Sequence, residues 1–228
     1  MKLKILEGGE RDKGFDRDGY MPTYMKYDSD DYYVLYRSGK KIKEIEGLTC
    51  EIGVRLGGGT ESILQGCLDT NQKGRVHICI DPYGNIDYVD VYSQNKTVKL
   101  GYDNQMAMAF LNHCSGFCHN NNIYFIPFFL EDTEFFKRYS TGVPVYRENK
   151  EIINTYALVH FDGPHEIGAV IKEIEFFEER TTQGGIWIFD DVQMYREDEL
   201  KLLHNTVHNL GFEDFILGEK RKHSFIKK

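Results

Sequence analysis

The rhythm of apolar positions changes near residue 47. Beyond it, short apolar runs closed by Gly, Asp or Asn alternate with stretches whose apolar residues recur every three or four positions. Thr49 to Leu56 reads as a strand running into Gly57-Gly58-Gly59, and a short helix follows from Glu61 to Leu68. Arg75 to Ile80 is a second strand, closed by Asp81-Pro82-Tyr83-Gly84. Residues 85–103 look like an insertion with hairpin strands at Tyr88–Tyr92 and Thr97–Tyr102. Asn104 to Cys118 then has helical spacing, Ile123 to Phe129 is a third strand, and Lys137 to Lys150 reads as a polar loop.

Tyr156 to Phe161 is a fourth strand, entering Asp162-Gly163-Pro164-His165. The next segment places Ile167, Val170, Ile171, Ile174 and Phe177 on one helical stripe. Gly184-Gly185 is expected to end that element, before a fifth strand, Ile186 to Phe189, runs into Asp190-Asp191. A last helix, Arg196 to Asn209, precedes strands at Phe212–Leu217 and Ser224–Lys227 around a turn near Gly218. Strands alternating with helices predict a mostly parallel sheet covered on both faces, and two consecutive terminal strands predict an antiparallel ending.

Residues 1–47 lack this alternation. They are rich in Tyr, Asp, Gly and Lys, with one strand-like run, Tyr32 to Tyr36, and a second at Lys41 to Ile45 across Ser38-Gly39. We read them as an N-terminal extension that packs on a 48–228 core domain and could act as a lid.

A chain of 228 residues with 41% hydrophobic content is large enough to bury a core. Its net charge of −8 argues against nucleic-acid binding, which needs clustered Lys and Arg. The short basic cluster Lys220-Arg221-Lys222-His223 reads as a solvated turn. No stretch approaches the roughly 20 apolar residues of a membrane helix, and the N-terminus has no hydrophobic signal core. A cytoplasmic location is therefore expected, and five Cys, an odd number, fit reduced thiols. The group His113-Cys114-Ser-Gly-Phe-Cys118-His119 contains zinc-type ligands, but all lie at the end of one helix. Structural zinc sites draw on separated ligand pairs, so buried thiols are the better reading.

Candidate chemistry gathers where the parallel strands end, the position at which open α/β sheets bind ligands. The first group is Glu51-Ile-Gly53-Val-Arg-Leu-Gly57-Gly58-Gly59-Thr60, whose glycines allow a sharp turn and close approach of a ligand to the main chain. The second is Asp81, 22 positions beyond Gly59, placed to accept hydrogen bonds from the ribose of an adenosine cofactor. A dinucleotide fingerprint starting at Gly57 would put Ser62 at its third glycine position, which ranks NAD second.

The string E-x-G-x-x-x-G-G-x-T resembles motif I of class I methyltransferases, most closely the branch of macrocin-type sugar O-methyltransferases and cephalosporin-hydroxylase-like proteins. The resemblance extends over about residues 48 to 228. It takes in Ile80-Asp-Pro-Tyr83, Phe125 to Thr133, Val159-His-Phe-Asp-Gly-Pro-His165, Gly184 to Asp191 and the antiparallel terminal pair. It implies a Rossmann-like fold, a mostly parallel seven-stranded sheet with an antiparallel C-terminal strand. It also implies that Glu51, Gly53 and Gly57, Gly58, Gly59 and Thr60 hold the methionine part of S-adenosylmethionine. Asp81 would then hold the ribose and Tyr83 would flank the adenine.

Asp162 after the fourth strand and Asp190 and Asp191 after the fifth can converge in a parallel sheet. Close carboxylates need a cation or protons between them, and oxygen-only ligands suit Mg²⁺, Mn²⁺ or Ca²⁺. His165, three residues past Asp162, suits a general base. Each feature also has a bland explanation: Asp162-Gly163 as a turn, Asp190-Asp191 as a cap, His165 as a helix start. The D-G-x-H and D-D pairing resembles metal-dependent O-methyltransferases of the macrocin type, in which such acids bind Mg²⁺ and the His deprotonates a sugar hydroxyl. Pro164 departs from that pattern, which leaves the backbone at His165 less certain than Asp162. The expected activity is methylation of a hydroxyl on a sugar, natural product or other small molecule, catalysed by His165 and Asp162 with Mg²⁺ on Asp162, Asp190 and Asp191. The expected partner is a small-molecule or glycan acceptor, with neither nucleic acid nor membrane, and a homo-oligomer is compatible. An NAD-dependent oxidoreductase and a non-catalytic Rossmann-like interaction module are the rival readings.

Overall fold

The computed structural model describes residues 29–84, 88–90, 96–98 and 101–228. The elements in chain order are α1 (Tyr32–Lys41), β1 (Leu48–Ile52), α2 (Gly58–Asp69), β2 (Val76–Ile80), β3 (Tyr88–Asp90), β4 (Lys96–Val98), α3 (Asn104–Asn120), β5 (Tyr124–Phe128) and α4 (Asp132–Arg138). They continue with β6 (Val143–Tyr146), β7 (Lys150–Ile153), β8 (Tyr156–Phe161), α5 (Ile167–Phe177), β9 (Thr181–Phe189), α6 (Glu197–Asn209), β10 (Phe212–Leu217) and β11 (His223–Lys227).

Seven strands form one sheet in the order β10-β11-β9-β8-β1-β2-β5. Its pairs are parallel except those of β11, which runs antiparallel to both β9 and β10. This is the expected Rossmann-like sheet with an antiparallel C-terminal strand. β1, β2 and β8 are buried along their whole lengths, which is why they read as continuous apolar runs rather than alternating ones. On one face of the sheet, Trp187 stacks on Phe212 with ring centroids 3.9 Å apart and donates from Nε1 to Thr181 Oγ1 at 2.8 Å. The strand order reverses between β1 and β8, so the crevice for a ligand opens beyond their C-terminal ends.

Three expectations are corrected. Tyr32 to Tyr36 forms the first turns of α1, not a strand, and Lys41 to Ile45 is not a strand either. All five of Tyr32 to Tyr36 are buried, because α1 packs against α2 with almost no space between their backbones. A Cβ on Gly39 would collide with the Ile63 carbonyl oxygen, and one on Gly66 with that of Tyr36. A helix covered this closely has no polar face in that stretch, and its sequence imitates a buried strand. The supposed loop at Lys137 to Lys150 contains the end of α4 and most of the β6–β7 hairpin, anchored by buried Phe135, Val143 and Val145. Gly184-Gly185 lies inside β9 rather than ending the preceding helix. Gly184 has φ 79° there, and the β8–β9 pairing shifts register between Tyr156 and Leu158.

The insertion carries the expected hairpin as β3 and β4, with the turn at Gln94-Asn95 outside the described residues, as are residues 1–28. Among the described residues no helix is long and apolar enough to cross a membrane. Cys114 and Cys118 are buried thiols of α3, and His113 is paired with Glu61 at 2.8 Å.

Candidate active site

Four loops begin in step at the C-terminal edge of the sheet. Gly53 N donates to Ile80 O, Asp81 N to Phe128 O, Asp162 N to Ile52 O and Asp190 N to Phe161 O, at 2.9 to 3.1 Å. Each site residue is thus fixed to the end of a neighbouring strand. They surround one cleft of about 560 Å³, lined at one end by Glu51, Gly53, Gly58, Gly59, Asp81 and Tyr83. Asp162 lines it beside them, within 4.8 Å of ligand atoms of Glu51 and His160, and His165, Asp190 and Asp191 line it beyond. Of the twelve residues singled out from sequence, Gly57 and Thr60 do not line it.

The glycine loop is shaped by contacts within the protein. Gly53 has φ 74°, and a Cβ there would run into the Asp162 backbone, so the β1 and β8 ends can meet only with glycine at this position. A Cβ on Gly59 would overlap the Glu51 carboxylate. Glu51 is 1% exposed; its Oε2 accepts a short bond from Thr60 Oγ1, and its Oε1 lies 3.0 Å from His160 Nδ1. Thr60 therefore positions Glu51 rather than facing the cleft. His160 lines the cleft, yet its Nε2 is buried without a hydrogen-bond partner among the described residues. An orphaned imidazole nitrogen beside a buried carboxylate fits a bound group that carries its own donors and acceptors.

Asp81 is buried at the end of β2. Its Oδ2 accepts from Val54 N at 2.9 Å and Arg55 N at 3.0 Å, and its Oδ1 from Tyr83 N at 3.2 Å. Burial pushes its carboxyl above the ordinary value, opposed by those three bonds. The carboxylate thus ties the glycine loop to the second strand and retains lone pairs on Oδ1 for a ligand. Tyr83 donates its hydroxyl to Arg55 O at 2.6 Å and stacks on Phe110 at 5.9 Å.

At the other end the three aspartates come together as expected, but with two cations among them. Lys222 Nζ lies 3.0 Å from Asp190 Oδ1, and Arg221 pairs with Asp191 Oδ1 through a short contact and with Asp190 Oδ1 at 3.6 Å. Burial alone would raise the Asp190 carboxyl, but Lys222 and Arg221 hold it well below the usual carboxylate range. Burial, reinforced by the charge of Asp190, pushes the Asp162 carboxyl well up, and the charge of Lys222 opposes the shift. His165 Nε2 lies 3.4 Å from Asp191 Oδ2; burial lowers the imidazole pKa, and Asp191 partly offsets the shift. His165 is thus neutral at pH 7 and can accept a proton.

The basic cluster read as a solvated turn is corrected by these contacts, since Lys222 is fully buried. Sequence reading missed Lys222, Arg221 and His160. Strand register carries the signal for Lys222: antiparallel pairing of His223 with Phe189 sets the preceding residue beside Asp190. As folded, Asp190 and Asp191 do not fit a resident divalent ion, whereas Asp162 groups with Glu51 and His160 as possible ligands within 4.8 Å of one another. Asp190 Oδ1 and Asp191 Oδ1, two of the oxygens it would need, already accept from cationic N–H groups.

No curated protein matches the sequence. Among solved structures the fold is similar to the O-methyltransferase NovP, at 15% identity and a TM-score of 0.57 over 86% of this chain and 79% of that one. It is also similar to a putative caffeoyl-CoA O-methyltransferase from Staphylococcus aureus, at 13% identity and a TM-score of 0.53, covering 87% and 84%. The O-methyltransferase TomG from Streptomyces achromogenes, solved in complex with SAM, aligns over 99% and 93% at 8% identity and a TM-score of 0.54. A family model described as a methyltransferase domain matches residues 50–192, from the glycine loop to the paired aspartates, and the chain belongs to that family of methyltransferases.

Proposed function

We propose that this methyltransferase uses S-adenosylmethionine to methylate a hydroxyl oxygen of a small molecule or sugar. The observation that carries this reading is one cleft lined by the glycine loop, Asp81 and His165, whose imidazole pKa is lowered by burial. S-adenosylmethionine, when bound, supplies an electrophilic methyl group on a sulfonium. Glu51, Gly53, Gly58 and Gly59 would hold its methionine part, with Thr60 keeping Glu51 in place and His160 Nε2 available to a polar group there. Asp81 would accept from the ribose and Tyr83 would flank the adenine. NovP and TomG, both described as O-methyltransferases, support oxygen as the acceptor atom.

His165 would take the acceptor's hydroxyl proton, so that the oxygen can receive the methyl group that the sulfonium would supply. Asp191 keeps the imidazole oriented and stabilises its protonated form. Orientation of the two reactants in one cleft would add to the rate. Ser29, Tyr32 and Leu35 also line the cleft, so the N-terminal extension would act as its lid.

Calorimetric titration with S-adenosylhomocysteine tests the reading. Wild type is expected to bind it and not NADH. Asp81→Ala, which loses a charged acceptor contributing ~1.5–3 kcal/mol, should bind at least about tenfold more weakly. Absence of binding to the wild-type chain overturns the proposal.

A further inference from the structure

Lys222 is built into the acceptor end rather than lying across it. Its side chain is 1% exposed, and its ammonium donates to Asp190 Oδ1 at 3.0 Å, Asp30 O at 2.9 Å and Ser29 Oγ, matching three donors to three acceptors. It also lies 5.2 Å from the centroid of the Tyr32 ring. The turn that carries it is held by Asp31, whose Oδ2 accepts from the backbone N of Lys220, Arg221 and Lys222 at 2.8, 2.7 and 3.3 Å. Residues from two distant parts of the chain, 29–31 and 220–222, thus combine to deliver one ammonium to Asp190.

Charge leads to the same conclusion. The three neighbouring carboxyl groups Asp162, Asp190 and Asp191 require positive charge or protons. Lys222 and Arg221 supply two positive charges through direct contacts to Asp190 and Asp191. A Mg²⁺-type ion needs near-octahedral oxygen ligands at about 2.1 Å, and an ammonium at hydrogen-bond distance on the same oxygen excludes it by both space and charge.

We propose that the Lys222 ammonium is the resident cation of this site, standing where a divalent ion would bridge Asp162, Asp190 and Asp191, so that the site receives its acceptor without a metal. This rests on the proposed function only in calling that end of the cleft the acceptor end. Lys222 is a positioning residue in this scheme: it keeps Asp190 ionised and in place beside Asp162.

The test is a Mn²⁺ titration followed by electron paramagnetic resonance, on the full chain saturated with S-adenosylhomocysteine. Wild type is expected to show no Asp190-dependent site tighter than ~1 mM. Lys222→Met should create one with at least about tenfold higher affinity, and adding Asp190→Asn should abolish it. Lys222→Gln, which keeps a hydrogen-bond donor, replaces Lys222→Met if that variant does not fold. Mn²⁺ held elsewhere, for example at His204, His208 and Asp214, is recognised by its insensitivity to Asp190→Asn. Tight binding to wild type that Asp190→Asn removes overturns the proposal, as does a folded Lys222 variant that gains no site. If S-adenosylhomocysteine does not bind, the proposed function fails, while the Mn²⁺ comparison run without it still decides the role of Lys222.

Discussion

Beneath the glycine loop, buried polar side chains form one continuous chain. Thr49 Oγ1 meets His77 Nδ1 at 2.9 Å, His77 Nε2 meets Thr60 Oγ1 at 3.2 Å, and Thr60 bonds Glu51, which meets His160 at 3.0 Å. His77 is fully buried, and burial, with the neighbouring His160, lowers its pKa from 6.5 to about 3. The unfolded chain therefore takes up a proton at pH values where the native chain does not. Stability must fall as the pH drops from 6.5 towards 3, by up to ~1.4 kcal/mol per unit for this one group. Between pH 7 and pH 5 the loss from His77 is about 2 kcal/mol. His77→Gln removes the titration, so unfolding free energies from urea titrations at the two pH values should differ less in the variant by that amount. Parallel pH dependence in both proteins would show that His77 is protonated in the native state.

The closest contact between elements is that of α1 with α2, where Gly39 and Gly66 let each backbone touch the other helix. Gly66→Ala puts a methyl against the Tyr36 carbonyl, a backbone atom that moves only with the whole helix. Overpacking of this kind costs about 1–3 kcal/mol, to be read as a lower urea midpoint with an unchanged m-value. Tyr32 and Leu35 of α1 line the cleft, so the same variant should also weaken S-adenosylhomocysteine binding. These contacts explain what was legible in the sequence. Strands β1, β2, β8 and β9 announced themselves because each is apolar and closes on a glycine or aspartate at the sheet edge. The acids and glycines of the site were legible for the same reason, since chain order alone brings parallel strand ends together. Helix α1 was not, because its apolar residues follow burial by α2 and the sheet rather than a 3.6-residue period. Lys222 was not, because its place depends on the pairing of β11 with β9 and on an anchor 191 residues away at Asp31.

Across the whole molecule, the cleft joins two ends that rest on different strands: Asp81 follows β2, whereas Asp190 and Asp191 follow β9. A ligand that binds only the native state stabilises it by RT ln(1 + [L]/Kd), about 2.7 kcal/mol at one hundred times Kd. For a chain of 228 residues, that corresponds to a rise of roughly 5–10 °C in Tm. Wild type should show this shift with S-adenosylhomocysteine. His165→Ala should keep it, since His165 sits at the acceptor end, 3.4 Å from Asp191. Its methyl transfer to a panel of sugar and phenol hydroxyls should nevertheless fall about 10²–10⁴-fold, the usual contribution of a general base. Asp81→Ala should lose about half of the shift or more at the same ligand concentration, because it gives up the ribose acceptor and three bonds that hold the loop. The two variants thus separate binding from chemistry along one cleft. A His165→Ala protein that loses the thermal shift would mean that the imidazole contacts the cofactor, and the base would then have to be found elsewhere around the acceptor.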